Sequence, residues 1–156
     1  MADPSDKIDT KAGPPEPVGL GFCSDPIEGV GAGALWEMML LKVAQPELFL
    51  PVKAVECRVG EAATWRTMTF DGPGPMHGRV ILENIYADEA SGEIQFVSLD
   101  EAGEETDAVV MNVLLQDPLR IEYFQRHGKT KERIFWPAPK AGAMSAIAKT
   151  VELSAA

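Results

Sequence analysis

The stretch ALWEMMLLKVAQPELFLPVKAVECRV (residues 34–59) changes its hydrophobic period part-way along, and this change decides the fold class. Its first part, Ala34–Val43, is apolar on nearly all sides, which predicts a helix packed on two sides. Pro46–Leu50 fits a second, short helix, since proline is tolerated at the first helical position. From Val55 to Val59 apolar and polar residues alternate, which predicts a half-buried strand. The switch to a period of two predicts an α+β fold.

Further strands extend from this stretch in both directions. An earlier strand is predicted over Val18–Ser24, weakened by two glycines. Later strands are predicted over Thr64–Phe70, Arg79–Tyr86, Glu93–Leu99, Thr106–Gln116, Leu119–Arg126 and Lys131–Trp136. The links between them have hairpin length, and such strands must be antiparallel, because parallel neighbours need long crossovers. Ala138–Leu153 has apolar residues at helical spacing and is predicted to be the closing helix.

The element order predicts one domain with a curved antiparallel sheet wrapped around the long C-terminal helix. We expect about six to seven strands, with the two short helices after the first strand. A length of 156 residues agrees with a single domain. Residues 1–17 hold four prolines and several charges but little apolar periodicity, and we expect them to form a flexible tail ahead of a domain over residues 18–156.

The composition disfavours several classes of partner. A net charge of −10 argues against nucleic acid, because an acidic surface repels phosphates. Cys23 and Cys57 are too few for a disulfide scaffold or a four-ligand zinc site, and we expect neither a metal nor a cofactor. No run approaches the ~20 apolar residues that span a bilayer. The acidic, proline-containing N-terminus is unlike a secretory signal, so a cytoplasmic protein is expected.

The same stretch resembles a known family. It combines a Leu-Trp pair, a Leu-Lys pair, a Pro-x-x-Phe-x-Pro motif and a Cys-x-Val strand, followed by an arginine and an asparagine in later strands. The matching positions are Leu35, Trp36, Leu41, Lys42, Pro46, Phe49, Pro51, Cys57, Val59, Arg66 and Asn112. In these positions the chain, from about Leu20 to its end, resembles the AtaL-like family of the START/polyketide-cyclase superfamily. The resemblance implies a helix-grip fold with a cavity, but no particular substrate.

Two other patterns have simpler structural interpretations. Gly29–Ala34 matches the dinucleotide fingerprint G-x-G-x-x-A, but Asp25–Glu28 separates it from the preceding strand and antiparallel hairpins follow it. A flexible loop is therefore expected. His77 and His127 fall in predicted loops beside glycine, with no Ser or Cys partner identifiable nearby. We expect solvent-exposed histidines rather than general bases.

The candidate ligand-binding residues are polar groups on apolar strands, together with their apolar surroundings. If Arg66 faces inward, its guanidinium needs a partner, either Glu83 or a ligand carboxylate. An Arg66–Glu83 pair or an exposed arginine is the favoured interpretation. The other candidates are Tyr86, Asn112 and Tyr123, with Met68, Met111, Met144 and Ile147 as cavity lining or ordinary core. The sequence leaves open which strand face points inward, because a one-residue slip reverses it.

Three functions stay open at this point. The first is binding of a small, mostly apolar or aromatic molecule between the sheet and the C-terminal helix. The second is a cofactor-independent cyclase, lyase or hydratase that acts on a polyketide-like or other hydrophobic molecule in the same cavity, although no nucleophile–base pair is visible. The third is an interaction module with a filled interior. The ligand and the oligomeric state, with a homodimer among the options, stay open as well.

Overall fold

A computed structural model describes residues 16–155. These residues form ten β-strands, two α-helices and one 3₁₀ turn. In chain order they are β1 (Pro17–Gly19), β2 (Phe22–Cys23), α1 (Ala32–Ala44), the 3₁₀ turn (Pro46–Leu48), β3 (Val52–Val59), β4 (Thr64–Phe70), β5 (Val80–Asp88), β6 (Glu93–Leu99), β7 (Glu105–Leu115), β8 (Arg120–His127), β9 (Arg133–Ile134), β10 (Trp136–Pro139) and α2 (Lys140–Ala155).

Eight of the strands in residues 16–155 form one antiparallel sheet. Its order is β2–β8–β7–β6–β5–β4–β3, with β9 added beside β8. Strands β1 and β10 form a separate antiparallel pair. The two helices pack against each other and against one face of the large sheet. A large antiparallel sheet around a C-terminal helix is a helix-grip fold, which confirms the α+β fold class predicted from the sequence.

The alternation of side chains gives the large sheet two unlike faces. The inner face, directed toward the helices, forms the main core with Leu35, Trp36 and Met39 of α1 and with Ala146 and Ile147 of α2. The inner-face members of this core are Ile85, Ile94, Phe96, Leu114, Ile121 and Tyr123. The outer face has its own smaller cluster, formed by Val97, Val109, Met111, Val113 and Phe124. Successive residues of a central strand therefore lie in different environments.

Two predicted strands are divided in the structure. The strand predicted over Val18–Ser24 becomes β1 and β2, because Gly19 and Gly21 take positive φ angles of 72° and 146°. A Cβ at Gly21 would lie 2.6 Å from Arg133 Nη1, so the Arg133 side chain would have to shift. The strand predicted over Lys131–Trp136 was likewise wrong as one unit: Lys131 has φ 66°, β9 pairs with β8, and β10 turns away to pair with β1.

Of the predicted tail over residues 1–17, residues 1–15 lie outside the described part of the chain. Its last two residues are part of the fold, since Pro17 begins β1 and the Glu16 carboxylate lies 3.3 Å from Lys140 Nζ. Neither helix in the described part of the chain has the length and apolar character needed to cross a membrane.

Candidate functional site

Arg66 and Glu83 form an ion pair on the inner face of the sheet. They are opposite each other in the register of β4 and β5. Arg66 Nη2 and Nε donate to Glu83 Oε1 at 2.7 and 3.2 Å. The side chains are only 2% and 12% exposed, respectively. The pairing that the sequence favoured for these two residues is therefore present, and Arg66 faces inward.

Arg66 also holds the C-terminal end of α1 against the sheet. Its Nη1 donates to the carbonyl oxygens of Lys42 and Val43 at 3.1 and 3.0 Å. The last carbonyl groups of a helix lack partners within the helix, and positive charge is favourable there. Cys57 Sγ contacts the Val43 and Ala44 carbonyls at 3.6 and 3.8 Å. Burial raises the pKa of the Cys57 thiol, which disfavours a reactive thiolate.

Lys42 is a lysine buried in the core. Its side chain follows the buried stripe of α1, and the residue is 5% exposed. Nζ lies 5.0 Å from the centroid of the Phe96 ring and 4.9 Å from that of Tyr123. No ion pair joins it to a carboxylate within residues 16–155. Burial and, secondarily, the charge of Arg66 lower the pKa of Lys42 from 10.5 to about 7, while Glu83 acts in the opposite direction.

Asn112 is a buried polar residue of the core with one atom that lacks a partner in the described structure. The residue is 2% exposed, and its Oδ1 has no hydrogen-bond partner among the residues that the structure describes. In the sheet register Asn112 on β7 lies between Ile94 on β6 and Tyr123 on β8. A buried polar atom without a partner costs free energy, and native proteins contain few of them.

Lys42 and Asn112 lie over the same part of the sheet. Phe96 is on β6 and Tyr123 on β8, with β7 between them. Neighbouring strands are about 5 Å apart. Because Lys42 Nζ is nearly equidistant from the two rings, it lies above β7. The inner-face residues of β7 at this level are Val110, paired with Phe96, and Asn112, paired with Tyr123. We refer to Lys42, Phe96, Asn112 and Tyr123 as the lysine site.

Tyr123 stays a neutral phenol at this site. Burial raises the pKa of Tyr123 well above its ordinary value, and the nearby Thr150 hydroxyl on α2 offsets only part of that rise. Thr150 itself donates to the Ala146 carbonyl at 2.8 Å. The C-terminal helix therefore contributes a hydroxyl group beside the phenol, and the site contains both aromatic and polar groups, the combination that is typical of ligand pockets.

The structure brings some of the sequence-predicted candidates together and separates others. Arg66, Met68, Glu83, Asn112, Tyr123 and Ile147 all lie in the interior between the sheet and the helices. Met111 lies on the outer face because it follows Val110 and precedes Asn112 on β7. Tyr86 is also on that face, where its hydroxyl donates to Glu105. Met144 is 48% exposed on α2.

Two open grooves lie at the edge of the core. One, of about 320 Å³, is bounded by the end of α1 and the β3–β4 hairpin, and Val43, Cys57 and Ile85 are among its lining residues. Ile85 is paired in register with Phe96, so this groove and the lysine site are neighbours on the inner face. The other, of about 310 Å³, lies between the start of α1 and the β5–β6 turn.

The remaining sequence patterns occupy loops. His77 Nδ1 is 2.9 Å from the Gly72 carbonyl, and His127 lies at the end of β8 beside Asp107. Gly31 precedes the first residue of α1 in an antiparallel context that lacks the strand–helix–strand unit of dinucleotide sites. Within residues 16–155 no three His, Cys, Asp or Glu side chains are grouped as metal ligands.

Sequence reasoning did not select Lys42 or Phe96 as site residues. The available signal was the position of Lys42 on the apolar stripe of α1, seven residues after Leu35 and three after Met39. A charged residue on such a stripe is expected to be buried and to need a partner.

No family model matches this chain, and no curated protein does either.

Proposed function

We propose that this chain binds a small, mostly apolar or aromatic molecule at the inner face of its sheet, with its polar end at the lysine site. The observation that carries the proposal is a buried lysine and a buried amide oxygen without a hydrogen-bond partner in residues 16–155, over the same part of the sheet. Lys42 Nζ is a donor held between two rings, and Asn112 Oδ1 is an acceptor without a partner among the described residues. A bound molecule could satisfy both.

The energetic cost of Lys42 supports a functional role. A buried charge without a carboxylate partner is unfavourable, and a hydrophobic residue of similar volume is often more stable at such a position. Met39 and Val43, the neighbours of Lys42 on the same buried face of α1, are apolar. Residues that reduce stability and have shifted pKa values are concentrated at functional sites.

The surroundings suit a ligand with an aromatic or apolar body. Phe96 and Tyr123 offer ring faces, and Ile147 closes the core from the C-terminal helix. The groove of about 320 Å³ beside Val43 and Ile85 is at the lower end of the usual ligand-pocket range, which is ~300–1,000 Å³. A molecule that reaches the lysine site from this groove must displace the Ile85 or Val43 side chain.

Membership of the AtaL-like family is part of the proposal. Lys42, Arg66 and Asn112, which carry the resemblance in sequence, all belong to the interior between the sheet and the helices. Their location in one part of the interior supports a shared role of these three residues in the family. The function remains an argument from the site, because one fold serves many functions.

A second candidate is an enzyme of the cyclase, lyase or hydratase type. The observation in its favour is the pKa of Lys42 near 7, which leaves a neutral amine available at neutral pH. That amine would accept a proton from an acidic C–H or O–H group of the bound molecule and return it to another atom of the same molecule. No cofactor is needed for such a step.

Native mass spectrometry of the purified protein tests the binding proposal. A denatured, organic-extracted sample is analysed beside it. We expect a co-purifying molecule that is reduced in Lys42→Met and retained in Lys53→Met, a matched control in which the lysine side chain is 61% exposed. Conversion of the extracted molecule by fresh protein would support the enzyme. An empty protein that also fails to take up the dye ANS would contradict both candidates.

A further inference from the structure

The lysine site contains a buried donor, Lys42 Nζ, and, on the strand beneath it, a buried acceptor, Asn112 Oδ1, without a partner in the described part of the chain. Lys42 Nζ has three N–H donors and lies 5.0 and 4.9 Å from the centroids of the Phe96 and Tyr123 rings. Asn112 Oδ1 can accept from a donor but has none. Lys42 Nζ lies above β7 between the rings of Phe96 and Tyr123, and Asn112 is the β7 residue paired with Tyr123. A ligand that completes this arrangement must present an acceptor to Lys42 and a donor to Asn112.

We propose that the ligand is a small organic acid whose anionic oxygens contact Lys42 and whose adjacent hydroxyl or N–H group donates to Asn112 Oδ1. This inference rests on the proposed function and specifies the chemical class of its ligand. Carboxylic acids and acidic enols or phenols all belong to this class, since each presents an anionic oxygen to an ammonium group.

The charges of the interior favour an anion. Arg66 is neutralised by Glu83, which leaves the Lys42 ammonium as the charge without a counterion in this part of the described structure. A neutral ligand would leave that charge unpaired in a dry environment, whereas an anion forms charge-assisted hydrogen bonds with it. A second cation would be repelled by both Lys42 and Arg66.

The neighbouring elements contribute few other titratable groups. Cys57 comes from β3, Arg66 from β4, Glu83 from β5 and Tyr123 from β8. The inner-face neighbours on β6 and β7, Phe96 and Asn112, are uncharged. The buried face of α2 is uncharged as well, and it consists of Ala143, Ala146, Ile147 and Thr150. Protonation of Lys42 is therefore the step to which binding of an anion near pH 7 is coupled.

Anion binding is expected to be accompanied by proton uptake. With the pKa of Lys42 at about 7, the free site is half protonated at pH 7 and mostly neutral at pH 8. A bound anion favours the ammonium form, so the complex takes up ~0.5 proton at pH 7 and ~0.9 proton at pH 8. Above pH 7 the affinity falls roughly tenfold per pH unit, because the proton must be supplied from solution.

Isothermal titration calorimetry with defined probes tests this inference. The acids are benzoate and 2-aminobenzoate, and the neutral controls are benzamide and benzyl alcohol. Titrations in Tris and in HEPES at pH 7 and pH 8 give the number of protons taken up from the difference in observed heats. We expect both acids to bind at least ~tenfold more tightly than the neutral probes. Their binding should take up ~0.5 proton at pH 7 and ~0.9 proton at pH 8.

Two variants assign the contacts. Lys42→Met should abolish the preference for acids and the proton uptake, while Lys53→Met should leave both unchanged. Asn112→Leu should weaken 2-aminobenzoate, which has an adjacent N–H free to donate, but leave benzoate unchanged. Thermal unfolding of each variant verifies that it is folded.

The outcomes separate this inference from the binding proposal. Equal affinity for acids and neutral probes would overturn the acid while leaving binding intact. Acid binding that is unchanged in Lys42→Met would place the anion elsewhere and overturn the inference. The absence of binding by any probe overturns the inference, and the absence of any co-purifying molecule overturns the proposed function as well.

Discussion

Glu83→Gln is expected to lower the free energy of unfolding by about 3 kcal/mol, because it leaves the Arg66 charge without a counterion. Glutamine has the shape of glutamate and can still offer one carbonyl oxygen at the position of Oε1. The two bonds from Arg66 Nε and Nη2, at 3.2 and 2.7 Å, therefore lose their charge rather than their geometry. The bonds from Nη1 to the Lys42 and Val43 carbonyls are unaffected.

The magnitude follows from burial. Removal of one member of a buried pair costs roughly 3–5 kcal/mol, and we use the lower end because Glu83 is 12% exposed. For a domain of this size, 3 kcal/mol corresponds to a decrease in Tm of roughly 6–12 °C. An exposed pair is the control. Lys53 and Asp71 are 3.3 Å apart, with side chains 61% and 46% exposed, and Asp71→Asn should cost less than about 1 kcal/mol.

Urea denaturation of wild type, Glu83→Gln and Asp71→Asn provides the comparison. The double variant Arg66→Met/Glu83→Gln should recover part of the lost stability, since it removes both charges of the pair. The recovery is partial because the carbonyl groups at the end of α1 lose Arg66 as their donor. If the free energies of unfolding of Glu83→Gln and Asp71→Asn differ by less than about 0.5 kcal/mol, the reasoning is refuted, because Arg66 then does not need the carboxylate.

Three further outcomes are expected. Lys42→Met should raise the free energy of unfolding by roughly 1–4 kcal/mol at pH 7. The pKa of Lys42 is lower in the folded protein than in the unfolded chain, so the unfolded chain binds more protons between pH 7 and 10.5 and wild-type stability rises with pH. The stability advantage of Lys42→Met over the wild type should therefore shrink by about 1 kcal/mol per pH unit. An advantage that stays constant with pH in urea titrations would contradict this. Asn112→Leu should raise the free energy of unfolding by about 1 kcal/mol by removing the unpartnered Oδ1, and a loss of stability would indicate that Oδ1 has a partner. Tyr86→Phe should leave a co-purifying ligand unchanged in native mass spectrometry while Tyr123→Phe reduces it, and the reverse result would move the site to the outer face.

The central strands and their antiparallel pairing could be predicted from the sequence. Thr64–Phe70 and Glu93–Leu99 have the bounds that the alternation of apolar and polar residues indicates, because turn residues delimit both segments. The partnership of Arg66 with Glu83 could also be anticipated, since a buried guanidinium requires a counterion. These features depend on local pattern and on simple electrostatic necessity.

The inward direction of each strand could not be predicted. Met111 and Asn112 were both taken as candidates, yet successive residues of a strand face opposite ways, and only the packing of the helices decides which faces inward. Lys42 was missed for a related reason. A lysine on a short helix is usually solvent-exposed, and its burial here depends on the contact of α1 with strands far along the chain, β6 and β8.

An NMR titration of Lys42 tests the central claim most directly. Protein labelled with ¹³C at lysine Cε gives one signal per lysine, and Lys42→Met identifies the relevant one. We predict a pKa of about 7 for Lys42 in the free protein and a clear rise toward its ordinary value when 2-aminobenzoate is added. A pKa near 10.5 that does not respond to the acid would contradict a desolvated lysine at a ligand site, and the interior would then be a filled core.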